Sequence, residues 1–181
     1  MDLPAGASLT FSTTSTAAGL TLNANGTYTF DASSYDSLSE GQTQVLTIPV
    51  VVTDEQGATA ETTLTITVTG TNDAPTATAA TGSVTEDASI TGSISAEDVD
   101  LPAGASLTFS TTSTAAGLTL NANGTYTFDA SSYDSLSEGQ TQVLTIPVVV
   151  TDEQGATAET TLTITVTGTN DAPTATAATA A

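Results

Sequence analysis

Short clusters of acidic residues are the part of this chain that could do chemistry. Three clusters lie in the motifs GTNDAP, TED and AEDVD, all between positions 72 and 100. The D-x-D spacing in AEDVD places two carboxylates on one side of an extended segment, where both can reach one ion. Carboxylate, amide and main-chain oxygens are the ligands of Ca²⁺, which takes roughly six to eight of them. The clusters therefore predict calcium binding, with solvated loop acids as the alternative; they contain Asn72, Asp73, Glu86, Asp87, Glu97, Asp98 and Asp100.

The charge balance of the chain favours calcium over the alternative. Its 181 residues include 20 Asp and Glu but no Lys, Arg or His, so no salt bridge between side chains can form. Such carboxylates must be hydrated, hydrogen-bonded or neutralised by bound cations. Nucleic acid is excluded as a partner, because its binding depends on Lys and Arg. Anionic membrane surfaces are disfavoured for the same reason, and no apolar run approaches the roughly 20 residues that would insert into a bilayer.

The residue types also argue against an enzyme. Without His, Cys, Lys or Arg, the chain has no usual general base for a Ser nucleophile, no thiolate and no Schiff-base amine. Two carboxylates could still hydrolyse a glycoside, but there is no Trp and there are few other aromatic residues to build a sugar-binding cleft. The absence of Cys excludes disulfides and thiolate metal sites. We therefore predict a non-enzymatic protein without catalytic or cofactor-binding residues other than those for calcium.

An internal repeat must position the acidic clusters. Residues Asp2 to Thr81 recur without substitution as Asp100 to Thr179, which gives a period of 98 residues. We predict two domains, 1–73 and 74–181, of which the first has no counterpart of residues 82–98. That segment could complete either domain, and we assign it to the second. Because Asp2 has no Asp two positions before it, the first copy's outer site is predicted to be defective, and an unpaired strand edge in that copy would invite pairing with another chain.

Strand patterns dominate each repeat. In ETTLTITVTGT, Leu64, Ile66 and Val68 alternate with Thr at a period of two, which is typical of a strand with one buried face. QVLTIPVVVTD predicts a second strand, in which Pro49 indicates an edge position or a bulge, and DEQGAT between them is a hairpin turn. FDASSYDSLSEGQ is a loop or a single helical turn, and GSVTEDASITGSISAEDVD predicts a split first strand. The predicted fold class is all-β, with tandem immunoglobulin-like Greek-key β-sandwich domains.

Several of these motifs resemble known families. VVVTDEQGATAETTLTITVTGTNDAP resembles the closing strands of cadherin-like domains, with a D-x-x-G turn, an alternating strand and a terminal N-D-x-P. AEDVD resembles the A-x-D-x-D calcium motif of that fold. The whole unit, with DLPAGASLTFS, NANGTYTFD and GTNDAP, is similar to the VCBS-type repeats of giant bacterial surface proteins. These include the extender regions of RTX adhesins exported by type I secretion.

The resemblance implies a set of calcium ligands. At the junction between the two copies, the implied ligands are Asn72, Asp73, Asp98 and Asp100. An acidic residue near the start of such a domain serves the junction at its far end, and the ligands implied there are Glu86, Asn170 and Asp171. Further candidates stand in the D-x-x-G turns and in LSEG, which occupies the place of the cadherin L-D-R-E motif; they are Asp54, Asp152, Glu40 and Glu138.

The residues and the resemblance together predict a structural role. We expect calcium-rigidified extender repeats of a secreted adhesin on the bacterial cell surface, which hold a terminal binding module outward in adhesion or biofilm formation. Their partners would be the neighbouring identical repeats of the same chain, and the fragment itself would be monomeric. The alternative is a glycan-binding or homophilic adhesive module, for which exposed Tyr28, Phe30 or Tyr35 would be the candidates.

Overall fold

The computed structural model describes residues 7–179, and their regular secondary structure is almost entirely β-strand. Two compact units are present: unit 1 comprises Met1–Asp73 and Val99–Pro102, and unit 2 comprises Ala74–Asp98 and Ala103–Ala181. The all-β prediction is confirmed. Asp2, where the defective outer site was predicted, lies outside the described residues. In the described part of the chain, no helix is long and apolar enough to cross a membrane.

The strands of unit 1 are β1 (Thr10–Ser12), β2 (Leu20–Leu22), β3 (Tyr28–Phe30), β4 (Thr43–Thr53) and β5 (Thr59–Thr69). β4 pairs with β1 on one side and with β5 on the other, while β2 and β3 form a separate ribbon. The segment predicted as a loop or a helical turn contains a single 3₁₀ turn, Ala32–Tyr35. Asp31 caps this turn by accepting a hydrogen bond from Ser33 N at 2.9 Å.

The β4–β5 hairpin shows how the alternating pattern becomes a two-faced sheet. Its register places Ile48 opposite Leu64 and Leu46 opposite Ile66. Directly opposite residues share a face, so the apolar side chains of both strands lie together. The Thr residues that alternate with the apolar residues of β5 lie on the other face. The turn between the strands contains Gly57, whose φ of +84° lies in the left-handed region. Both predicted strands and the predicted hairpin turn are confirmed.

Pro49 lies in the interior of β4 at a position that is locally an edge. β4 is central in the order β1-β4-β5, but β1 covers only the part of β4 from Val51 to Thr53. Pro49 lies beyond that pairing, so its missing N–H leaves no hydrogen bond to β1 unmade. Its carbonyl accepts a hydrogen bond from Thr13 Oγ1 at 2.6 Å. The predicted edge character is confirmed, although the strand as a whole is not at an edge.

The strands of unit 2 are β6 (Thr76–Ala77), β7 (Ala80–Thr85), β8 (Ser89–Ser93), β9 (Ala96–Glu97), β10 (Thr108–Ser110), β11 (Leu118–Leu120), β12 (Thr125–Asp129), β13 (Thr141–Thr151) and β14 (Thr157–Thr167). One sheet has the order β10-β13-β14-β7 and another the order β11-β12-β8, while β6 pairs with β9. β7 runs parallel to β14, whereas β8 runs antiparallel to β12. The predicted split first strand is therefore β7 and β8, and its two halves join different sheets.

The core of unit 2 is formed by side chains of both sheets. β12, β13 and β14 contribute most of it, and β7 and the residue after β8 add to it. Burial of each large apolar side chain stabilises the unit by about 1.5–3 kcal/mol relative to exposure. The buried residues include Phe128, Ile146, Val148, Val150, Leu162, Ile164 and Val166, together with Val84 and Ile94.

Candidate metal centre

Glu86 is a fully buried carboxylate at one end of unit 2. It follows β7, where Thr85 pairs with Thr167, and its N–H continues this pairing to the Thr167 carbonyl at 3.1 Å. The residue is 0% exposed. Its Oε1 accepts hydrogen bonds from Thr169 N at 2.6 Å and Thr169 Oγ1 at 3.3 Å, whereas its buried Oε2 accepts none from the described residues. A buried charged oxygen without a donor is costly, so this atom favours a cation beside it.

Three further acidic residues share the electrostatic environment of Glu86. Asp87 Oδ2 accepts a hydrogen bond from Thr169 Oγ1 at 2.7 Å. Partial desolvation, and after it the negative charges of Asp87, Glu86 and Asp134, raise the pKa of the Asp171 carboxyl. Asp134 ends the 3₁₀ turn Ala130–Tyr133. We call these four carboxylates, Glu86, Asp87, Asp134 and Asp171, the acidic end of unit 2.

The acidic end of unit 2 fits a hard cation through its donors. All the candidate ligands are oxygens, as calcium requires, and no cationic side chain of the chain can balance them. Asn170, the remaining predicted ligand at this end, is exposed, and its amide donates to the Asp171 carbonyl at 3.5 Å. Within residues 7–179, no group of three acidic side chains already has the arrangement of a metal cluster. The acidic end is therefore a candidate cation site because of its oxygen donors and the buried Oε2 of Glu86. Its described side chains are not already arranged as a coordination sphere.

A second pair of acidic residues lies in unit 1. Asp100, which belongs to unit 1, is only 2% exposed. Its Oδ1 accepts a hydrogen bond from Asp73 N at 3.4 Å, and its carbonyl accepts one from Ser39 Oγ at 2.5 Å. Asp73 itself is half-buried. The structure thus brings together two of the four predicted junction ligands, Asp73 and Asp100.

The other two predicted junction ligands are Asn72 and Asp98. Both are half-buried, and Asn72 belongs to unit 1 together with Asp73. Asp98 belongs to unit 2, where it directly follows β9. The boundary of the units therefore falls inside the D-x-D motif, and its two carboxylates are carried by different units.

Asp54 and Asp152 close the turns of their own hairpins. Asp54 Oδ1 accepts hydrogen bonds from Gln56 N at 2.9 Å and from Ala58 N at 2.8 Å, and Asp152 makes the same two bonds in its copy. Within unit 1, Asp54 precedes the 11-residue strand β5 and Asp73 follows it. An extended strand of that length spans about 35 Å. Asp54 and Asp73 therefore cannot share an ion within the unit.

The remaining predicted ligands lie in the segments that follow the two 3₁₀ turns. Glu40 and Glu138 are exposed, and each lies between a 3₁₀ turn and the long strand that follows it. Asp134 is not among the predicted ligands, yet its charge acts on Asp171. The motif SSYD could have indicated Asp134, because it places an acid at the end of a predicted helical turn. Only the folded chain shows that this turn returns to the end of β14.

Solved structures of cadherin repeats are similar to the chain. Mouse cadherin-23 EC22-24 is 17% identical over 89% of this chain and 53% of that chain, with a TM-score of 0.54. Human mucin-like protocadherin EC1-2 is 19% identical over 93% of this chain and 87% of that chain, with a TM-score of 0.53. At these identities the likeness concerns the fold alone, and the chain spans about half the length of the cadherin-23 structure. A search of curated proteins found no match.

A family model gives a more specific result than the structural likeness. The model described as bacterial cadherin-like domain matches residues 72–168, which is more than half of the chain. The matched region begins in GTNDAP, includes the split first strand and ends just after β14. Cadherin-like domains are adhesion domains rather than enzymes, and they are typically extracellular and associated with calcium. The chain therefore belongs to the bacterial cadherin-like domain family.

Proposed function

We propose that this chain is a calcium-rigidified extender, formed by VCBS-type repeats of a secreted bacterial adhesin of the RTX class. Its role would be to hold a terminal binding module away from the cell surface in adhesion or biofilm formation, after export by type I secretion. The observation that carries the proposal is Glu86. A fully buried carboxylate with an oxygen that accepts no hydrogen bond from the described residues lies beside other acids, in a chain without any cationic side chain.

At the acidic end of unit 2, the proposed ligands are Glu86, Asp87, Asp134, Asn170 and Asp171. Calcium, when bound, supplies the positive charge that these residues lack. Thr169 holds two of the acids in place, because its N–H and hydroxyl donate to Glu86 and its hydroxyl to Asp87. Asn170 and Asp171 lie where β14 has ended and the linker PTATAAT begins. Binding through them would couple ion affinity to the order of a linker that has too little apolar content to order alone.

At the junction between the copies, the proposed ligands are Asn72, Asp73, Asp98 and Asp100. The hydrogen bond from Asp73 N to Asp100 Oδ1 supports this, because it fixes two of these residues side by side within unit 1. Burial of Asp100 gives further support, since a carboxylate that is 2% exposed in a chain of this charge favours neutralisation by a cation. Identical repeats suit the proposed role, because a spacer needs length more than chemical variety.

A glycan-binding or homophilic module has less support. Its aromatic candidates are exposed only in unit 1, where Tyr28 is 49% exposed, while the counterpart Tyr126 in unit 2 is 4% exposed. Phe128, the counterpart of Phe30, is fully buried. In unit 2 these two rings therefore belong to the core and form no exposed aromatic face for a sugar.

The extender proposal is tested by calcium titration calorimetry of the metal-free chain at neutral pH, comparing Glu86→Gln with Glu159→Gln. Glu159 is an exposed residue of β14 and loses the same charge. We expect Glu159→Gln to bind calcium like the wild type, and Glu86→Gln to weaken one class of sites at least about 10-fold, because a charged ligand is lost. Small-angle scattering should show a larger maximum dimension with calcium than with chelator. A flat titration together with an unchanged maximum dimension would exclude the proposal.

A further inference from the structure

One turn, with the sequence NANGT, is present in both units with the same hydrogen bonds. It joins β2 to β3 in unit 1 and β11 to β12 in unit 2. In unit 2, Asn123 Oδ1 accepts hydrogen bonds from Thr125 N at 3.1 Å and from Thr125 Oγ1 at 2.7 Å. In unit 1, Asn25 Oδ1 accepts the same bonds from Thr27 N at 3.0 Å and from Thr27 Oγ1 at 2.7 Å. The two turns are therefore two copies of one local arrangement.

A glycine must follow this asparagine in each turn. Gly124 has a φ of +86°, in the left-handed region that other residues disfavour. A Cβ atom at this position would also lie 3.1 Å from the ring of Phe109. Gly26 has the same φ, and a Cβ atom there would lie 3.0 Å from the ring of Phe11. The hydrogen bonds to threonine use the asparagine and the backbone requires the glycine, so the structure places these two residues in sequence.

Asn-Gly is a dipeptide that can modify itself by deamidation, because glycine has no side chain to hinder attack by its main-chain nitrogen. In this reaction the glycine nitrogen attacks Cγ of the asparagine. A bond between these two atoms forms, the bond from Cγ to the amide nitrogen Nδ2 breaks, and ammonia leaves with the proton of the glycine N–H. Water then opens the cyclic imide at one of its two carbonyl groups and yields aspartate or isoaspartate.

In the folded turn, both reacting groups are held in other interactions. The N–H of Gly124 donates a hydrogen bond to the Asn121 carbonyl at 2.9 Å, and this bond opposes loss of the proton. Gly26 makes the equivalent bond in unit 1 at 2.9 Å. The side-chain carbonyl of Asn123 is held by its two bonds to Thr125, so rotation of Cγ toward the nitrogen would break them. The folded turn thus opposes the reaction at the nucleophile and at the carbonyl.

Thr125 is itself fixed by its neighbours, which keeps the turn closed. Its Oγ1 accepts a hydrogen bond from Asn121 Nδ2 at 3.0 Å, and its carbonyl accepts one from Asn121 N at 2.8 Å. The Ala122 carbonyl accepts a further bond from Phe109 N at 2.9 Å, which attaches the turn to β10. The same three contacts occur in unit 1. Opening of either turn therefore breaks several hydrogen bonds at once.

We propose that Asn25 and Asn123 are latent sites of spontaneous deamidation, which Thr27 and Thr125 keep unreactive while the turns are folded. Both asparagines are exposed, so water reaches them when a turn opens. The other asparagines of the chain are followed by Ala or Asp, whose side chains hinder the reaction. Each event would add a negative charge, and isoaspartate would also lengthen the main chain of the turn by a carbon atom. Opening of a turn would therefore leave a permanent chemical change.

The inference is tested on the full chain at mildly alkaline pH, because alkali promotes loss of the glycine proton. One sample is kept folded, as verified by circular dichroism, and another is unfolded in urea in the same buffer. Cleavage after glutamate gives residues 1–40 and 98–138, which differ in mass and contain one Asn-Gly each. Mass spectrometry of these fragments therefore measures the two sites separately. We expect deamidation at each site to be at least about 10-fold slower in the folded chain.

Removal of one hydroxyl group tests the role of the threonine. Thr125→Val keeps the main-chain N–H donor but removes the O–H donor, and valine suits a strand. In the folded variant, deamidation of Asn123 should be about 5-fold faster, as expected for the loss of one hydrogen bond. Asn25 in the same molecules should react as slowly as before. Thr125→Ser should restore the slow rate, and Thr127→Val, at an exposed position of the same strand, should leave the rate unchanged.

Three results would overturn the inference. The first is an equal rate in the folded and the unfolded chain, and the second is the absence of reaction in urea. The third is an unchanged or slower reaction of Asn123 in Thr125→Val. In that case the hydroxyl either has no part in protection or stabilises the oxyanion of the intermediate.

Discussion

Tyr28 and Tyr126 occupy the same place in identical stretches of sequence, yet Tyr28 is largely exposed and Tyr126 is buried. The long hairpin that follows is the same in both units, since β4 and β13 have equivalent bounds, as do β5 and β14, whereas β12 is longer than its counterpart β3. Local sequence therefore suffices for the long hairpin and its turn. Burial depends on a segment distant in the chain, residues 80–98, which unit 2 contains and the described part of unit 1 does not.

Removal of an aromatic ring from the core should give the largest difference in stability between the two units. We expect Phe128→Ala to lower the free energy of unfolding of unit 2 by about 3–5 kcal/mol, because it leaves a cavity among fully buried side chains. Phe30→Ala should cost unit 1 less than half as much, since Phe30 is only half-buried. Urea unfolding of both variants, followed by circular dichroism, measures the two losses. Equal losses would show that Phe30 is as deeply buried in solution as Phe128.

A change in the split first strand should affect unit 2 and leave unit 1 unchanged. We expect Gly92→Val to lower the free energy of unfolding of unit 2 by about 1–3 kcal/mol, because the added side chain collides with the ring of Tyr126. Thr91→Val is the matched control on the exposed face of β8, and its effect should stay within about 0.5 kcal/mol. Thermal unfolding of both variants tests this difference. A loss of similar size in the control would contradict it.

The turn aspartates should give equal effects in the two units, because each accepts the same two hydrogen bonds from the N–H groups of its own turn. We expect Asp54→Ala and Asp152→Ala each to cost about 1 kcal/mol, since each removes two hydrogen bonds to turn N–H groups. Denaturant unfolding of the two variants measures the losses. A difference above about 0.5 kcal/mol between the units would show that the stability of the hairpin turns also depends on the rest of each unit.

The smallest expected effect concerns pH, and the part of it that depends on Asp171 is restricted to unit 2. The pKa of Asp171 is raised in the folded state from 3.8, so the folded state binds a proton more readily than the unfolded state. Stability of the metal-free unit should therefore rise as pH falls from neutral through the raised pKa. Below pH 3.8 both units should lose stability, because protonation of Asp129 and of its counterpart Asp31 removes the hydrogen bonds that lower their pKa.

Melting temperatures of the wild type and Asp171→Asn between neutral and acidic pH test this pH dependence. In chelator, the variant should lack the gain on mild acidification, because the group that is protonated in the wild type is already neutral. Calcium should reverse the order of the two proteins at neutral pH if Asp171 is a ligand. Identical pH profiles of the two proteins would show that the surroundings of Asp171 do not raise its pKa.

Much of the fold could be predicted from short-range patterns. The alternation of Leu64, Ile66 and Val68 predicted β5, and this prediction is confirmed. Pro49 predicted an edge position or a bulge, and it lies beyond the part of β4 that pairs with β1, although β4 is the central strand. The split first strand was also predicted. The parallel pairing of β7 with β14 could not be predicted, because strand alternation contains no information on which distant strand lies alongside.

The candidate site could be predicted only in outline. Glu86 and Asp171 were expected to act together, and the structure places them in one electrostatic environment, although calcium binding itself stays a prediction. The sequence does not reveal the burial of Glu86, because burial results from the pairing of β7 with β14. Asp134 belongs to the acidic end because its charge acts on Asp171, which follows β14. The spacing of these residues along the chain does not predict that the 3₁₀ turn returns to the end of that strand. Asp54, in contrast, has a turn role that the D-x-x-G motif alone describes well.

The parallel pairing of β7 and β14 also determines how unit 2 carries a mechanical load. Chain enters the unit ahead of β7 and leaves it after β14, so tension along the protein pulls these neighbouring strands in opposite directions along their common axis. The hydrogen bonds between Ala80–Thr85 and Leu162–Thr167 then bear the force in shear and together, rather than opening one after another from an end. The pairing of unit 2 is thus arranged to resist stretching between the start of β7 and the end of β14.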